Sequence, residues 1–278
     1  MAGQKASRAF MLHLVAWFVA LIWLVPFLGV FMASIRPLSE ISRGWWKFAT
    51  FTPTFKNYLG AWNHPAAPIS RGMMNSLAVA IPGTIFPVLA ASVAAYGFAR
   101  FSFRGRDFLF IVIVALMTLP QQMIAVPLFR IMNKLGAVDS YTGLMVVHSA
   151  WGIPWILYFM RNYFSALPIE VEEAAKVDGA SDWRIFLQIV MPMALPAVAS
   201  SSVLQFMWVW SDFFLALILI YSPSKLLATQ RVPLLRGVYH VDWGILAAGS
   251  IIVMIVPIIV FVLMQRYYIR GMVGWVSK

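Results

Sequence analysis

Long apolar stretches alternate with short polar connections along the whole chain. Six stretches are free of charged residues and have about the 20 residues that a helix needs to cross a membrane. They cover residues 9–35, 72–99, 108–129, 140–160, 185–211 and 243–265, and the fifth continues past Asp212 to residue 224. This pattern predicts an all-α, polytopic membrane protein with six transmembrane helices.

The first apolar stretch follows Lys5 and Arg8, as the apolar region of a secretory signal peptide would. Such a region has only about 7–15 residues. Because the stretch 9–35 is far longer, we expect it to be an uncleaved first span.

The polar segment 166–190 separates the fourth and fifth stretches. Three of its five carboxylates, Glu170, Glu172 and Glu173, fall where the positive end of a helix dipole would favour them. Gly179 can adopt the left-handed conformation that closes a helix, and Ser181 can cap a second helix. The segment predicts two short helices joined by a glycine bend outside the membrane, with an ordinary solvated loop as the alternative.

Composition supports the membrane assignment. Hydrophobic residues make up 62% of the chain and charged residues 11%, whereas a soluble domain has about 45–50% and 25%. The net charge of +11 is spread over short connections, which favours contact with anionic lipid headgroups over nucleic acid. The chain has no cysteine, which excludes disulfides, thiol catalysis and cysteine metal ligands.

Six spans place both termini on the same side of the membrane. If that side is cytoplasmic, it holds 11 of the 21 Lys and Arg residues and the other side holds 10. The connection 36–71 carries much of the external charge but is the longest, so charge density favours cytoplasmic termini. The segment 166–190 then also lies inside. The many aromatic side chains of the connection 36–71 are expected at the outer membrane interface, partly on a helix lying along the membrane.

The motifs of ATP-binding and hydrolytic enzymes are missing. No lysine is followed by Ser or Thr, so the phosphate-binding loop G-x-x-x-x-G-K-[ST] cannot be completed. There is also no H-E-x-x-H and no G-x-S-x-G, and the four histidines are dispersed. We therefore expect no catalytic residue, no metal site and no ATP hydrolysis by this chain itself.

Several polar side chains lie in or beside the apolar stretches and are candidates for a substrate path. Asp212 is the one acid deep in a predicted span, where a charge usually faces a partner or a watery cavity. Trp208 and its aromatic neighbours could stack on sugar rings. The remaining candidates are Asn75, Gln121, Gln122, His148 and Gln205. The alternatives are a structural role for Asp212 and hydrogen bonds between helices for the others.

The spacing of Glu173-Ala174-Ala175, Gly179 and Ile189-Val190-Met191-Pro192 resembles the EAA loop of ABC importer permeases. Met191 stands where that family usually has leucine. Other segments resemble carbohydrate-uptake permeases of the maltose permease (MalG) type, and Ser211 replaces an asparagine that is frequent there. These segments are 75–77, 95–100, 210–213, 242–244, 248–250 and 265–267.

The resemblance implies a permease subunit of an ATP-driven sugar importer in a bacterial or archaeal cytoplasmic (inner) membrane. Its partners would be a second permease subunit, two ATP-binding subunits and an extracytoplasmic sugar-binding protein. This chain would hold no cofactor, since ATP and Mg would bind to the ATPase.

By the same resemblance, residues 1–278 form a single transmembrane permease domain with a core at 72–266 and a coupling loop at 166–190. Contact with the ATPase would be made by Glu172, Glu173, Ala174, Ala175, Asp178 and Gly179. Two other classes of function stay open from the residues alone. They are an ion-coupled secondary carrier with Asp212 as its proton site, and a membrane scaffold without transport activity.

Overall fold

The computed structural model describes residues 2–237 and 241–273, and the regular elements within them are all helices. The first group contains α1 (Ala2–Ser34), α2 (Leu38–Ile41), α3 (Lys56–Trp62), α4 (Ile69–Ala80), α5 (Pro82–Arg100), α6 (Arg106–Leu116), a 3₁₀-helix (Gln121–Ile124), α7 (Ala125–Lys134) and α8 (Tyr141–Ala166). The second contains α9 (Glu170–Val177), α10 (Asp182–Ile185), a π-helix (Phe186–Val190), α11 (Met191–Met193), α12 (Leu195–Ser211), α13 (Phe214–Leu219), α14 (Ala228–Leu234) and α15 (Trp243–Val273). The predicted all-α fold is confirmed.

Among the described residues, four helical stretches are long and apolar enough to cross a membrane. They are Phe10–Ser34, Ile69–Arg100, Tyr141–Ala166 and Trp243–Arg266. Two bent pairs of helices also qualify, namely Arg106–Leu116 with Gln121–Lys134 and Asp182–Met193 with Leu195–Ser211. If each bent pair crosses once, the described residues contain the six predicted spans.

The third apolar stretch, predicted as one span over 108–129, is broken into two helices that meet at 94°. Pro120 has no N–H to continue the helical ladder, and its ring disfavours helical backbone at Leu119. Pro120 itself is extended, with φ −65° and ψ 133°. The prediction of a span over 108–129 did not include this break, at which the chain turns through a 3₁₀-helix before α7 begins.

The fifth stretch is also bent, by 75°. A π-helix precedes Pro192, and Ala194 ends α11 just before Pro196. The stretch does not continue as one helix to residue 224, since α12 ends at Ser211 and α13 starts only at Phe214.

The chain forms two compact units. The first contains Met1–Ser70 and Arg231–Met254, and the second contains Arg71–Gln230 and Ile255–Lys278. In the second unit α5 packs along α8. Ala91 and Ala95 are completely buried at this contact, and their small side chains let the two backbones approach closely.

In the first unit, the apolar side chains of α1 are exposed along most of its length, as expected for a helix that faces lipid. Near its end Gly29 lies against Trp45, where a Cβ atom would be 3.3 Å from the indole ring. The connection that follows α1 includes the helix α3, and its position along the membrane stays a prediction.

Candidate functional site

The segment after α8 has the helix–turn–helix structure that its sequence predicts. α9 ends in a Schellman turn, in which the N–H groups of Gly179 and Ala180 donate to the carbonyls of Lys176 and Ala175. Gly179 has φ +81°, a conformation that glycine adopts without steric cost. Ser181 then caps α10 by accepting the N–H of Arg184 at 3.4 Å. Residues 170–185 thus form the helix–turn–helix of the predicted coupling loop, residues 166–190.

One glutamate fixes the coupling loop to the end of α5. The Glu172 carboxylate accepts hydrogen bonds from the Tyr96 hydroxyl at 2.9 Å and from Nε of Arg100 at 2.7 Å. Arg100 also donates to the carbonyl of Leu167 at 3.2 Å. The Glu172 and Arg100 side chains are both nearly buried, so removing one partner would leave an uncompensated charge in the interior.

Aromatic rings pack around Tyr96, which is one of the two hydrogen-bond donors to Glu172. The Tyr96 ring lies 5.0 Å from Phe186 and 6.1 Å from Phe164, and Trp183 of α10 lies 5.4 Å from Phe186. Ala175 packs against the same buried cluster. α9 and α10 are therefore attached to the span-forming helices α5 and α8, so a force on the loop would be transmitted to them.

The opposite face of the coupling loop is exposed. Glu173, Ala174, Asp178 and Gly179 all lie on this face. Val177 is 88% exposed, and the indole of Trp183 is exposed as well. Large apolar side chains on a short polar loop are typical of a surface that binds another protein.

Among the substrate-path candidates, Gln205 lies at the junction of three helices. Its side chain donates to the carbonyls of Gly83 at 3.1 Å and His148 at 3.4 Å, and accepts from the Trp155 indole at 3.0 Å. It lines a cavity of about 10 Å³, enough for about one water molecule. His148 and Trp208 also line this cavity.

Asp212 caps the short helix α13. Its carboxylate oxygens accept the N–H groups of Leu215 at 3.4 Å and Ala216 at 3.0 Å. Nε2 of the buried His148 lies 3.8 Å from the carboxylate and has no hydrogen-bond partner among the described residues. Asp212 is therefore held beside the candidate group of His148, Gln205 and Trp208 while it stabilises the start of α13.

The other three candidates do not line this cavity. Asn75 donates to the carbonyls of Ser224 and Leu226, each at 3.0 Å, and so connects α4 to the segment before α14. Gln121 and Gln122 lie at the bend between α6 and α7, and Nε2 of Gln121 is buried without a partner among the described residues.

A polar cluster around Asp139, which the sequence did not indicate, lies at the opposite end of α8 from Glu172. The Asp139 carboxylate accepts the N–H groups of Tyr221 at 3.1 Å and Ser222 at 3.0 Å, the Ser222 hydroxyl and the Lys225 ammonium. Burial by itself would raise the pKa of Asp139, but these donors together hold the pKa well below its ordinary value. The cluster joins the start of α8 to the segment after α13.

We expect Asp139→Asn to lower the free energy of unfolding by about 1–3 kcal/mol, because an amide cannot accept from all of these donors. Since the pKa is lowered in the folded state, the stabilisation is complete above the ordinary pKa of aspartate. It is lost as the pH falls towards the folded-state pKa. Thermal unfolding of the detergent-solubilised protein measures the effect.

Asp107→Asn is the matched control, because Asp107 pairs with Arg106 at 2.9 Å on the surface. An exposed pair contributes less than about 1 kcal/mol. Equal melting temperatures for the two variants would contradict the structural role of Asp139.

The chain is similar to known transport proteins over most of its length. Residues 83–274, which include α5, the coupling loop and the end of α15, match the family described as binding-protein-dependent transport system inner membrane component. A probable ABC transporter permease protein of Pyrococcus horikoshii is 58% identical over 272 residues, covering 98% of this chain and 99% of that protein. The α-glucoside transport system permease protein AglG of Rhizobium meliloti is 40% identical over 84% of this chain and 64% of its own length.

The fold is also similar to that of a chain from the crystal structure of a bacterial ABC transporter involved in the import of the acidic polysaccharide alginate. The TM-score is 0.78 at 23% identity, over 95% of this chain and 98% of the other. The chain therefore belongs to the family of binding-protein-dependent transport system inner membrane components.

Proposed function

We propose that this chain is the transmembrane permease subunit of an ATP-driven sugar importer, forming half of the translocation path and coupling it to a separate ATPase subunit. The α-glucoside permease among its relatives supports a sugar as the substrate class. Both termini and the coupling loop face the cytoplasm of a bacterial or archaeal cell. A second permease subunit, two ATP-binding subunits and an extracytoplasmic sugar-binding protein complete the importer.

The main support for this proposal is that one side of the coupling loop is bonded to α5 while the other side is exposed. Glu172 ties the inner side to Arg100 and Tyr96 on α5, while Val177 on the outer side is 88% exposed. A loop that is rigidly joined to its own spans and apolar on its free face is suited to receive force from a partner. ATP-driven closure of the ATPase pair would then switch the permeases between two states as rigid bodies.

In this mechanism the chain itself catalyses nothing. ATP and Mg are bound by the partner ATPase. Of the six predicted coupling residues, four would supply the contact surface, namely Glu173, Ala174, Asp178 and Gly179. Glu172 and Ala175 are directed inwards instead and would hold the loop to the span-forming helices. The chain would also line the substrate path. The candidates that lie together in the structure are His148, Gln205, Trp208 and Asp212. Asn75, Gln121 and Gln122 would contribute from separate positions, the last two at a bent span where irregular backbone can face a water-filled cavity.

The ion-coupled carrier is the weaker alternative. Asp212 would have to bind and release a proton during transport, yet both of its oxygens accept backbone N–H groups at the start of α13. Protonation would weaken this cap.

Uptake of a panel of radiolabelled sugars into proteoliposomes tests the proposal. The vesicles contain the co-purified complex, and the sugar-binding protein is added outside. We expect uptake to require internal ATP and to persist in the presence of an uncoupler. Uptake that stops with the uncoupler while ATP is retained would support the carrier instead.

Asp212→Asn separates a role in the path from a role in capping. Asparagine also caps helices and keeps one of the two acceptor oxygens, so the melting temperature should fall only slightly below that of the parent protein. We expect the KM for sugar uptake to change severalfold, because the negative charge beside His148 is lost. An unchanged KM and uptake rate would leave Asp212 with its structural role alone.

A further inference from the structure

The connection between α1 and α4 carries a group of exposed apolar side chains in the first unit. We call the group formed by Trp46, Phe48, Phe55, Leu59 and Trp62 the aromatic face. Phe48, Phe55 and Leu59 are 68%, 71% and 65% exposed. This much exposed apolar surface on a polar connection indicates that something other than water covers it.

The helix α3 has two distinct sides. Asn57 and Ala61 are buried, and the Asn57 amide donates to the carbonyls of Ser34 at 3.0 Å and Arg36 at 2.7 Å. Phe55, Leu59 and Trp62 follow one another at spacings of four and three residues, so they share the opposite, exposed side. The buried side thus holds α3 against the end of α1 and fixes the direction in which the aromatic face points.

A buried arginine holds the loop part of the aromatic face in place. Arg36 is completely buried, and its Nη1 donates to the carbonyl of Lys47 at 2.8 Å. Its guanidinium lies 4.8 Å from the ring centre of Phe51 and 5.8 Å from that of Phe48, within the range of cation–π attraction. These contacts of Arg36 fix the Phe48 ring in its exposed position.

The charges around the aromatic face are almost all positive. The side chains of Arg43, Lys47 and Lys56 are exposed. Glu40 is the one acid between residues 35 and 70, and its carboxylate accepts the N–H of Thr52 at 3.2 Å. The segment also begins directly after the span Phe10–Ser34 and ends where the span Ile69–Arg100 begins, so both of its ends lie at the membrane boundary.

We propose that the aromatic face lies in the headgroup layer of the membrane at this end of α1, and that Lys47 and Lys56 give it a preference for anionic phospholipids. Tryptophan and phenylalanine on an amphipathic segment insert at the boundary between headgroups and acyl chains, and nearby lysines attract negative headgroups. This inference is independent of the sugar proposed above, because it concerns the lipid contacts of the importer and not its cargo.

The absence of cysteine from the chain makes a direct test practical. A nitrobenzoxadiazole fluorophore on Leu59→Cys reports its surroundings in the full complex, reconstituted with phosphatidylcholine and phosphatidylglycerol. Nitroxide-labelled versions of each lipid quench it according to their local concentration. We expect strong quenching, local enrichment of phosphatidylglycerol, and about a fivefold loss of that enrichment for each of Lys47→Gln and Lys56→Gln.

Lys134→Gln is the matched control, because Lys134 is an exposed lysine in the second unit and should leave the enrichment unchanged. A fluorophore at residue 59 that is not quenched by either lipid would overturn the proposal. Protection of the fluorophore only after the sugar-binding protein is added would also overturn it and assign the face to that protein. Equal quenching by the two lipids would overturn the anionic preference.

Discussion

Glu172→Gln is expected to lower ATP-driven sugar uptake by at least about tenfold while the protein remains in the membrane. The substitution removes the charge that neutralises Arg100 and leaves a buried guanidinium with an uncharged partner. Breaking a buried ion pair in this way costs about 3–5 kcal/mol, and about 1.4 kcal/mol already changes a population tenfold. The coupling loop would then detach from α5, so ATP hydrolysis by the complex should continue without driving uptake.

Glu170→Gln is the matched control for this prediction. Glu170 is in the first turn of the same helix, α9, but its side chain is exposed. It should therefore retain nearly all uptake. Combining Glu172→Gln with Arg100→Met should restore part of the lost activity, since the second change removes the unpaired charge. Normal uptake by Glu172→Gln alone would show that the anchor is dispensable.

Gly179→Pro is expected to abolish uptake. Proline fixes φ near −65°, whereas Gly179 has φ +81°, and proline also removes the N–H that bonds to Lys176 in the turn. The turn between α9 and α10 could not form, so the two helices would no longer present one surface to the ATPase. Uptake and ATPase activity of the reconstituted complex, together with the amount of protein inserted, measure the effect.

Two variants separate a coupling defect from general instability. Gly105 has nearly the same backbone conformation, φ +84°, and at both glycines an added Cβ would meet no atom within 4 Å. Gly105→Pro should destabilise the protein to a similar degree but leave uptake linked to ATP hydrolysis. Gly179→Asn should keep most of the activity, because asparagine tolerates the left-handed conformation. If the two proline variants lost coupling equally, the special role of the turn at Gly179 would be contradicted.

Local signals in the sequence were enough to predict the shape of the coupling loop. Gly179, which lacks a side chain, permits the left-handed conformation that ends α9, and the Ser181 hydroxyl caps α10. Which of the neighbouring glutamates is buried could not be predicted in this way. That choice depends on Arg100, which lies 72 residues earlier and approaches Glu172 only after α5 has packed along α8.

The spans, too, could be predicted only in part from the sequence. Apolar length predicted where the chain can cross a membrane, and Pro120 and Pro192 lie beside the two breaks in the bent spans. Whether Pro120 would kink the helix slightly or break it by 94° depends on packing that a single sequence does not record. The Asp139 cluster was missed for the same reason, since Lys225 is 86 residues away and nothing in the local sequence links the two.

It stays a prediction that the grouped polar residues line the substrate path. His148, Gln205 and Asp212 were selected separately from two apolar stretches, and the structure places them around one small cavity or beside it. Their grouping follows from the packing of α5, α8 and α12. The transport assay on Asp212→Asn decides whether the group contacts the sugar.

Labelling of Val177→Cys with a membrane-impermeant maleimide tests the central claim most directly, because Val177 is the most exposed apolar residue of the coupling loop and the chain has no other cysteine. The account predicts labelling in inside-out vesicles stripped of the ATPase, and protection when the ATPase subunits are added back. Labelling from the extracytoplasmic side, or full labelling in the assembled complex, would contradict it.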